Sequence, residues 1–482
     1  MSSALAQSRP RPSGRWLRAF MPACWIPESL PLKYCIMLPP DDALRQELHN
    51  ELHARPTVRI QLPALVVQVA VLNEGVSREQ ELEHLRRLSG QGELHLDQLA
   101  GTFLRLRLAG GTLKWERHTE FTSYTLIQPL PRTEPTENGL LGGLVLDPHW
   151  LKNIPGRTIA AVELLMLVGE VEPPSKPLEQ AQAWFGGQTV VASMLGRNGH
   201  SCAVTDFRLR PDGFERVVVV APSSTSPIRA GRIAARLLEL EAYRMMALRG
   251  WPVARSLRSM LREAERNLAG ITSEMQSSAR SDQELLDELK ALAAQVEHAI
   301  AQHGYRFAAS AAYQGIVQAR LAELREGPIS GTQTIGEFLQ RRFAPAMATV
   351  ESTAQRLAAL SQRIERAGGL LRTRVDIALE QQNQQLLAKL SRGQELQLQL
   401  QRTVEGLSIA AITYYVVGLL NYLAKAAKEA GWPVQPELFT GLSIPVVMAG
   451  VWWLTRQIHH RLLTSQSRAQ PLPPQRSEYR PE

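Results

Sequence analysis

The chain has 482 residues, 44% of them hydrophobic and 21% charged, which excludes a disordered protein and exceeds what one ordinary core accommodates. Its cysteines, Cys24, Cys35 and Cys202, have no short repeated spacing, so neither a disulfide framework nor a zinc knuckle is indicated. The net charge of +8 comes mostly from the terminal arms: residues 1–35 carry five basic residues against one acidic residue, and residues 456–482 carry five against two. The body between them is nearly neutral, so no nucleic-acid partner is expected.

Strand and helix patterns alternate between residues 57 and 250. In chain order they predict a strand over 62–72, a helix over 77–90, a hairpin over 102–127, a second hairpin over 202–221 and an amphipathic helix over 226–250. Glycines or a Pro-Asp-Gly sequence mark the turns and the helix ends. Strands mixed with helices predict an α+β (or α/β) N-terminal domain.

The next region is predicted to be almost entirely helical. One helical segment, over 253–326, contains a start signal at Ser281-Asp282 and ends at Gly327-Pro328. From about Pro345 no proline interrupts the chain for some sixty residues. Apolar residues recur there at heptad spacing: Val350, Leu357, Leu360, Ile364, Ala367 and Leu371. This pattern predicts a long stalk helix with a coiled-coil seam, followed by a glutamine-rich stretch.

Two apolar segments near the C-terminus are long enough to cross a bilayer. Nineteen uncharged residues lie between Glu405 and Lys425, and eighteen lie between Glu437 and Arg456. At about 1.5 Å per residue each spans roughly 27–29 Å, close to the hydrocarbon thickness of a bilayer. A short connector rich in Gly and Pro joins them, which predicts a transmembrane hairpin. A buried helical hairpin in a soluble core is the alternative.

Lys and Arg are more frequent before the first span and after the second than in the connector. This distribution predicts an inner-membrane protein with two spans, both termini in the cytoplasm and the connector outside. The predicted regions are a flexible basic extension over 1–40, an α/β cytoplasmic domain over 41–250, a helical region over 251–345, a stalk helix over 346–405, two transmembrane helices over 406–455 and a basic disordered tail over 456–482.

A metal site is one hypothesis for the N-terminal domain. His49 and His53, four residues apart on a helix, point the same way. Strand alternation would place Glu116, His118 and Glu120 on one face, from which a further ligand would come. Imidazole and carboxylate ligands suit zinc or manganese. Histidines with hydrogen-bonded packing roles are the alternative, and the more frequent one.

Arg229, Arg232 and Arg236 form a basic stripe on the helix over 226–250. The stripe would bind an anionic ligand, or it would pair with neighbouring acidic residues such as Glu239 and Glu241.

Common enzyme motifs are absent from the sequence. It contains no P-loop, no G-x-G-x-x-G, no G-x-S-x-G elbow and no C-x-x-C. These absences favour a protein that is not an enzyme.

Six stretches resemble a family of predicted bacterial membrane-anchored proteins, the domain-of-unknown-function family 3422. They are residues 48–56, 115–121, 205–214, 229–248, 305–310 and 403–419. The likeness covers about residues 40–460. It implies a bacterial membrane protein with a cytoplasmic N-terminal domain, and it brings no known reaction.

The predicted order of regions also resembles that of CorA-type divalent-cation channels. In that family a Gly-Met-Asn motif ends the first span and forms the outer filter of a pentamer. Here the corresponding place reads Gly418-Leu419-Leu420-Asn421, which is one residue longer. The resemblance implies that Asn421 would offer its amide oxygen to a hydrated cation and that Tyr414 would narrow the pore. A helix–helix contact is the other role for Gly418 and Asn421.

Three functional readings follow. The first is an oligomeric membrane protein of CorA-like build, either a cation channel or a degenerate relative. The second is a membrane-anchored metal-dependent enzyme, and the third is an anchor whose cytoplasmic domain binds a protein. The expected partners are the lipid bilayer and other copies of the chain, and the protein partner is unidentified. No cofactor is identified, and a divalent cation is the candidate for the first two readings.

Overall fold

The computed structural model describes residues 42–45, 48–49, 57–88, 90–130, 143–277, 280–429, 433 and 435–466. Predictions for the extension over 1–40, for His53 and for most of the basic tail therefore lie outside the described residues. The described residues form two compact units. One runs up to Glu263 and also includes Val296–Ala359, and the other comprises Ala264–Gln295 and the residues from Leu360 onward.

Eight strands form one mixed sheet in the first unit. They are β1 (Ala64–Leu72), β2 (Phe103–Leu108), β3 (Gly111–Arg117), β4 (Phe121–Pro129), β5 (Arg157–Val168), β6 (Val191–Leu195), β7 (Ser201–Thr205) and β8 (Glu215–Ala221). Their order in the sheet is β2-β3-β4-β1-β5-β8-β7-β6. Among these eight strands of the described residues, β5 and β8 are the parallel pair, and the other neighbours are antiparallel. The apolar run predicted as a buried strand is β1, at the centre, and every residue of β1 is buried.

Ten α-helices accompany the sheet and continue beyond it in the described residues. They are α1 (Arg78–Arg86), α2 (Pro148–Lys152), α3 (Ser175–Gln182), α4 (Pro227–Leu248), α5 (Gly250–Ser256), α6 (Arg258–Ser277), α7 (Asp282–Leu324), α8 (Ile335–Arg342), α9 (Ala344–Glu429) and α10 (Pro436–Gln466). The N-terminal mixed-sheet domain followed by a long helical region is therefore confirmed.

The two faces of the sheet differ in chemistry. One face carries the large apolar core, which includes Leu65, Trp115 and Tyr124 together with Trp150 of α2 and Trp184 beyond α3. The opposite face holds a row of polar cross-strand neighbours under α4, in which Gln68 of β1 donates to Thr125 of β4 over 3.3 Å. Because buried polar groups need partners, this second face is the one on which a ligand would find hydrogen-bonding groups.

Helix α4 is held close to the sheet by its sequence. Ser226 caps its first turn, Pro227 begins it, and Ala230, Ile233 and Ala234 are buried against the strands. At Gly231 a Cβ would collide with the carbonyl oxygen of Val58, in the segment before β1, so only glycine lets α4 lie this close to that segment. The opposite stripe of α4 is left for Arg229, Arg232 and Arg236.

The heptad residues of α9 are buried. Those predicted from the sequence are Val350, Leu357, Leu360, Ile364, Ala367 and Leu371, and each is at most 9% exposed. In the second unit Arg374 of α9 pairs with Asp282 of α7, 3.1 Å apart. A coiled coil at this seam remains a prediction.

Many apolar side chains in the last part of α9 and in α10 up to Gln457 are exposed. Leu407, Tyr414, Leu419, Leu442 and Val446 are each at least 65% exposed. Two helices, α9 with the segment before it and α10, contain stretches long and apolar enough to cross a membrane, and none of the α10 stretch is buried. Helix α10 continues to Gln466, through the first residues of the predicted tail.

Candidate functional site

A basic pocket lies in the first unit where α4, the β6–β7 turn and the end of α7 meet. We call it the arginine pocket, and its volume is about 320 Å³. It contains all three arginines of the basic stripe, for which the sequence predicted either an anionic ligand or pairing with acidic residues. The lining residues are Leu195, Gly196, Arg197, His200, Ser201, Arg229, Arg232, Ile233, Arg236, Glu323, Leu324 and Arg325.

The β6–β7 turn brings its polar residues to this pocket through two glycines. Gly196 and Gly199 have φ values of +84° and +57°, which side-chain-bearing residues rarely adopt. The turn is fixed to the end of α7, because the Gly196 amide donates to the Leu324 carbonyl over 2.9 Å. Arg229 of α4 lies close above it, since a Cβ on Gly196 would be 3.8 Å from Arg229 Nη2.

The charge of the pocket is strongly positive. Glu323 is its one carboxylate and is already paired, with Arg236 at 3.0 Å and with Arg320 at 2.7 Å. Within the described part of the chain Arg197, Arg229, Arg232 and Arg325 make no ion pair. Four guanidinium groups that have no ion-pair partner among the described residues surround this one pocket, and they create a positive field that attracts anions.

Ser201 and His200 supply uncharged polar groups. The Ser201 hydroxyl is completely buried and has no hydrogen-bond partner among the described residues. His200 Nε2 lies 3.1 Å from Thr225 Oγ1. Burial, and then the neighbouring Arg229, lower the pKa of His200, so its ring stays neutral at pH 7. The site therefore offers neutral hydrogen-bonding groups beside its charges.

A second cleft, of about 330 Å³, adjoins the first and shares Arg232, Arg236 and Glu323 with it. Two residues of the predicted metal set, Glu116 and His118, line this cleft. The carboxylate of Glu116 pairs with Lys114 at 2.7 Å. The ring of His118 stacks on Phe121 with 4.2 Å between centroids.

Neither Glu120 nor His49, the other described members of the metal set, is among the residues that line this cleft. Strand β3 ends at Arg117, and the turn to β4 begins there, so the alternation does not extend to Glu120. Glu120 pairs with Arg306 and with Arg249. His49 is exposed, and His53 lies outside the described residues. The described residues contain no group of three or more His, Cys, Asp or Glu that could hold a metal ion. A metal site that uses His53 remains a prediction.

The three predicted filter residues lie along the apolar end of α9. Tyr414 is 76% exposed, and a Cβ on Gly418 would meet no atom within 4 Å. The amide oxygen of Asn421 accepts a hydrogen bond from Thr440 Oγ1 of α10, over 3.3 Å. In the single chain Asn421 thus joins the two apolar helices, and its filter role remains a prediction.

Four of the lining residues were not predicted from the sequence as site residues: Arg197, His200, Ser201 and Arg325. They come from two segments more than a hundred residues apart, and a third segment supplies the predicted arginines. The one local signal was the sequence Gly196-Arg197-Asn198-Gly199, in which two glycines indicate a tight turn carrying an arginine.

Comparison with known proteins identifies a family and little else. The family model "Protein of unknown function (DUF3422)" matches residues 40–462. No curated protein matches the chain. A solved structure, that of the full-length CmaX protein, is 12% identical, over 67% of this chain and 92% of that one. Its TM-score is 0.19, which is too low to support an argument about fold or function. The match over residues 40–462 shows that the chain belongs to the DUF3422 family.

Proposed function

We propose that this protein is anchored in a bacterial inner membrane by the end of α9 and by α10, with a ligand-binding α/β domain in the cytoplasm. The observation that supports the anchor is the exposure of the apolar stretch Pro436–Gln457, of which no part is buried. A soluble hairpin would bury such a surface, because exposing it to water costs roughly 25 cal/mol per Å². A bilayer removes that cost.

The aromatic residues support the same placement. Trp452 and Trp453 are both more than half exposed, beside Arg456 at the end of the apolar stretch. The guanidinium of Arg456 lies over the Trp452 ring, 5.1 Å from its centroid. Tryptophan and arginine are frequent at the membrane–water interface. Lys and Arg are more frequent before the first span and after the second than in the connector. This distribution favours a cytoplasmic location for both termini.

Alkaline extraction of membranes from cells that express the full-length protein tests the anchor. We expect the protein to remain in the membrane pellet and to dissolve only in detergent. Recovery in the alkaline supernatant would show a peripheral or soluble protein and would contradict the proposal.

The proposal extends to a homo-oligomer of CorA-like build, since a single two-helix hairpin cannot enclose a pore. Light scattering of the detergent-purified protein measures the number of subunits. The resemblance to CorA-type channels predicts a ring of about five subunits. A monomer would eliminate transport. If the ring is found, the role of Asn421 as a filter residue is tested by measuring cation flux into proteoliposomes. The flux through the Asn421→Ala variant is compared with that through Leu420→Ala, which is the control.

The same purified sample separates the alternatives. A metal-dependent enzyme would carry stoichiometric zinc or manganese, which elemental analysis detects. A purely structural anchor would contain no stoichiometric metal and would show no cation flux.

A further inference from the structure

We propose that the arginine pocket binds the phosphate group of a small phosphate monoester. Phosphate suits the charges, because guanidinium groups form paired hydrogen bonds to its oxygens. Arg229 and Arg232 lie in the first two turns of α4, and Arg197 stands across from them on the β6–β7 turn. A dianion between them would relieve the repulsion among these neighbouring positive charges.

The buried hydroxyl of Ser201 is the second and independent reason. It lines the pocket, is completely buried and has no partner among the described residues. An unpaired buried hydroxyl destabilises a folded protein, so its presence needs an explanation. A phosphate oxygen in the pocket would accept this hydrogen bond, which explains why a serine occupies the start of β7.

The surrounding backbone and ring favour the same ligand. Helix α4 has 22 residues, and its N-terminus carries partial positive charge close to Arg229. His200 is neutral because burial and Arg229 lower its pKa, and its ring contacts Thr225 at the entrance to the helix. The neutral ring would hydrogen-bond a hydroxyl of the esterified group without adding another charge.

The size of the pocket restricts the ligand. A volume of about 320 Å³ is near the lower end of the range of small-molecule sites, about 300–1,000 Å³. It leaves room for a phosphate group with a few carbon atoms attached. The adjoining cleft, lined by Gln68 and Glu116, would receive the polar remainder. The buried Gln68 Oε1 has no partner among the described residues and would accept from it.

Calorimetry with the full-length detergent-purified protein tests the proposal, with inorganic phosphate and glycerol phosphate as probes. We expect saturable binding of both, weakened at least tenfold by Arg229→Ala/Arg232→Ala. Arg105→Ala is the matched control, because Arg105 is an exposed arginine on β2, at the opposite edge of the sheet. Its affinity should equal that of the wild type. No binding by the wild type, or equal binding by the double variant, would overturn the proposal.

Ser201→Ala tests the hydroxyl separately. Because it removes an unpaired buried group, its melting temperature without phosphate should equal or exceed that of the wild type. Its affinity for glycerol phosphate should fall about three- to tenfold. An unchanged affinity would overturn the role of Ser201.

The phosphate monoester could come from solution or from a lipid headgroup, and a further arm separates the two sources. The wild type and the double variant are compared on nanodiscs with and without phosphatidic acid. If the protein binds glycerol phosphate in detergent and phosphatidic acid does not compete with this binding, the ligand is a soluble phosphate monoester. If phosphatidic acid does compete with glycerol phosphate, and the double variant shows no such competition, the ligand is the lipid headgroup. Binding that survives the double substitution in both arms would overturn the site.

Discussion

The sheet of the first unit and the apolar helices at the C-terminus use similar residues with opposite results. Every residue of β1 is buried, and Leu65 and Leu165 have no exposed surface. Helix α10 also contains leucines and valines, yet Leu442 is 76% exposed and Val446 is 70% exposed. In the sheet the protein itself covers the apolar surface, whereas no part of the stretch Pro436–Gln457 of α10 is buried among the described residues. Under the proposed membrane anchor, the two regions are built for different solvents.

Polar residues follow the same division. In the sheet the ion pair of Arg216 with Glu163, at 2.8 Å, is almost entirely enclosed. The apolar stretch of α10 between Glu437 and Arg456 contains no charge. A folded domain encloses charges in pairs, whereas a bilayer excludes them. The following experiments test this comparison, in order of decreasing expected effect.

The largest effect is expected from Arg216→Met. It leaves the Glu163 carboxylate buried without its cation, which destabilises a protein by about 3–5 kcal/mol. Denaturant unfolding of the full-length protein in mild detergent measures the change. The double variant Glu163→Leu/Arg216→Met should recover most of the loss, because it removes both charges together. A double variant as unstable as the single one would show that the pair has another role.

Leucine truncations compare the two regions directly. Leu165→Ala should lower the free energy of unfolding by about 2–5 kcal/mol, because it opens a cavity in the sheet core. Leu442→Ala should change it by less than about 0.5 kcal/mol, because Leu442 is not enclosed by the chain. Equal losses would contradict the contrast in burial.

Arginine substitutions test the bilayer as the solvent of α10. Val446→Arg places a charge at the middle of the apolar stretch, which opposes insertion by about 2.5–3.5 kcal/mol. We expect a larger fraction of this variant in the alkaline supernatant. Leu390→Arg is the control, since Leu390 is 65% exposed but lies in the glutamine-rich part of α9. Equal release of the two variants would argue against a membrane span.

The smallest effect concerns Glu215. Burial, and then the nearby Glu241, raise its pKa to about 8, despite the Arg244 guanidinium 3.1 Å away. The folded-state pKa of Glu215 exceeds the unfolded-state value of about 4.5. The stabilisation by protonated Glu215 is therefore fully present below about pH 4.5, and it is lost as the pH rises through about 8. Between pH 5 and pH 8.5 the loss should be about 1–3 kcal/mol.

Thermal unfolding at those two pH values measures the contribution. Glu215→Gln should reduce the pH dependence, whereas Glu179→Gln, at an exposed position of α3, should leave it as in the wild type. A pH dependence that Glu215→Gln does not alter would assign the titration to other groups.

Much of the fold could be predicted from local patterns. Strand β1, helices α1 and α4, and the start of α7 at Asp282 all carry periodicity or capping signals. The heptad positions of α9 also predicted which side chains are buried. Strand β5 was not predicted, and its pairing partners β1 and β8 are distant in sequence. Strand β6 was not predicted either, although it pairs with the adjacent β7 across a short turn.

The candidate site was predictable only in part, for the same reason. Helical spacing placed Arg229, Arg232 and Arg236 on one stripe, and the pocket contains all three. Ser201 and Arg325 join them only through the pairing of the β6–β7 turn with the end of α7, which no local pattern encodes. Glu120 lies in the turn after Arg117, outside the strand for which alternation predicted a common face with Glu116.

Cysteine labelling of intact cells tests the central claim, that the C-terminal helices cross a bilayer, most directly. Cys24 and Cys35 are replaced by serine, and Cys202 stays, because burial raises the pKa of its thiol to about 12 and leaves it unreactive. In this background we compare Gln435→Cys in the connector with Arg105→Cys in the sheet domain, using a membrane-impermeant maleimide. Gln435→Cys should be labelled in intact spheroplasts and Arg105→Cys only after lysis. Labelling of both thiols under the same condition would place them on one side and contradict the account.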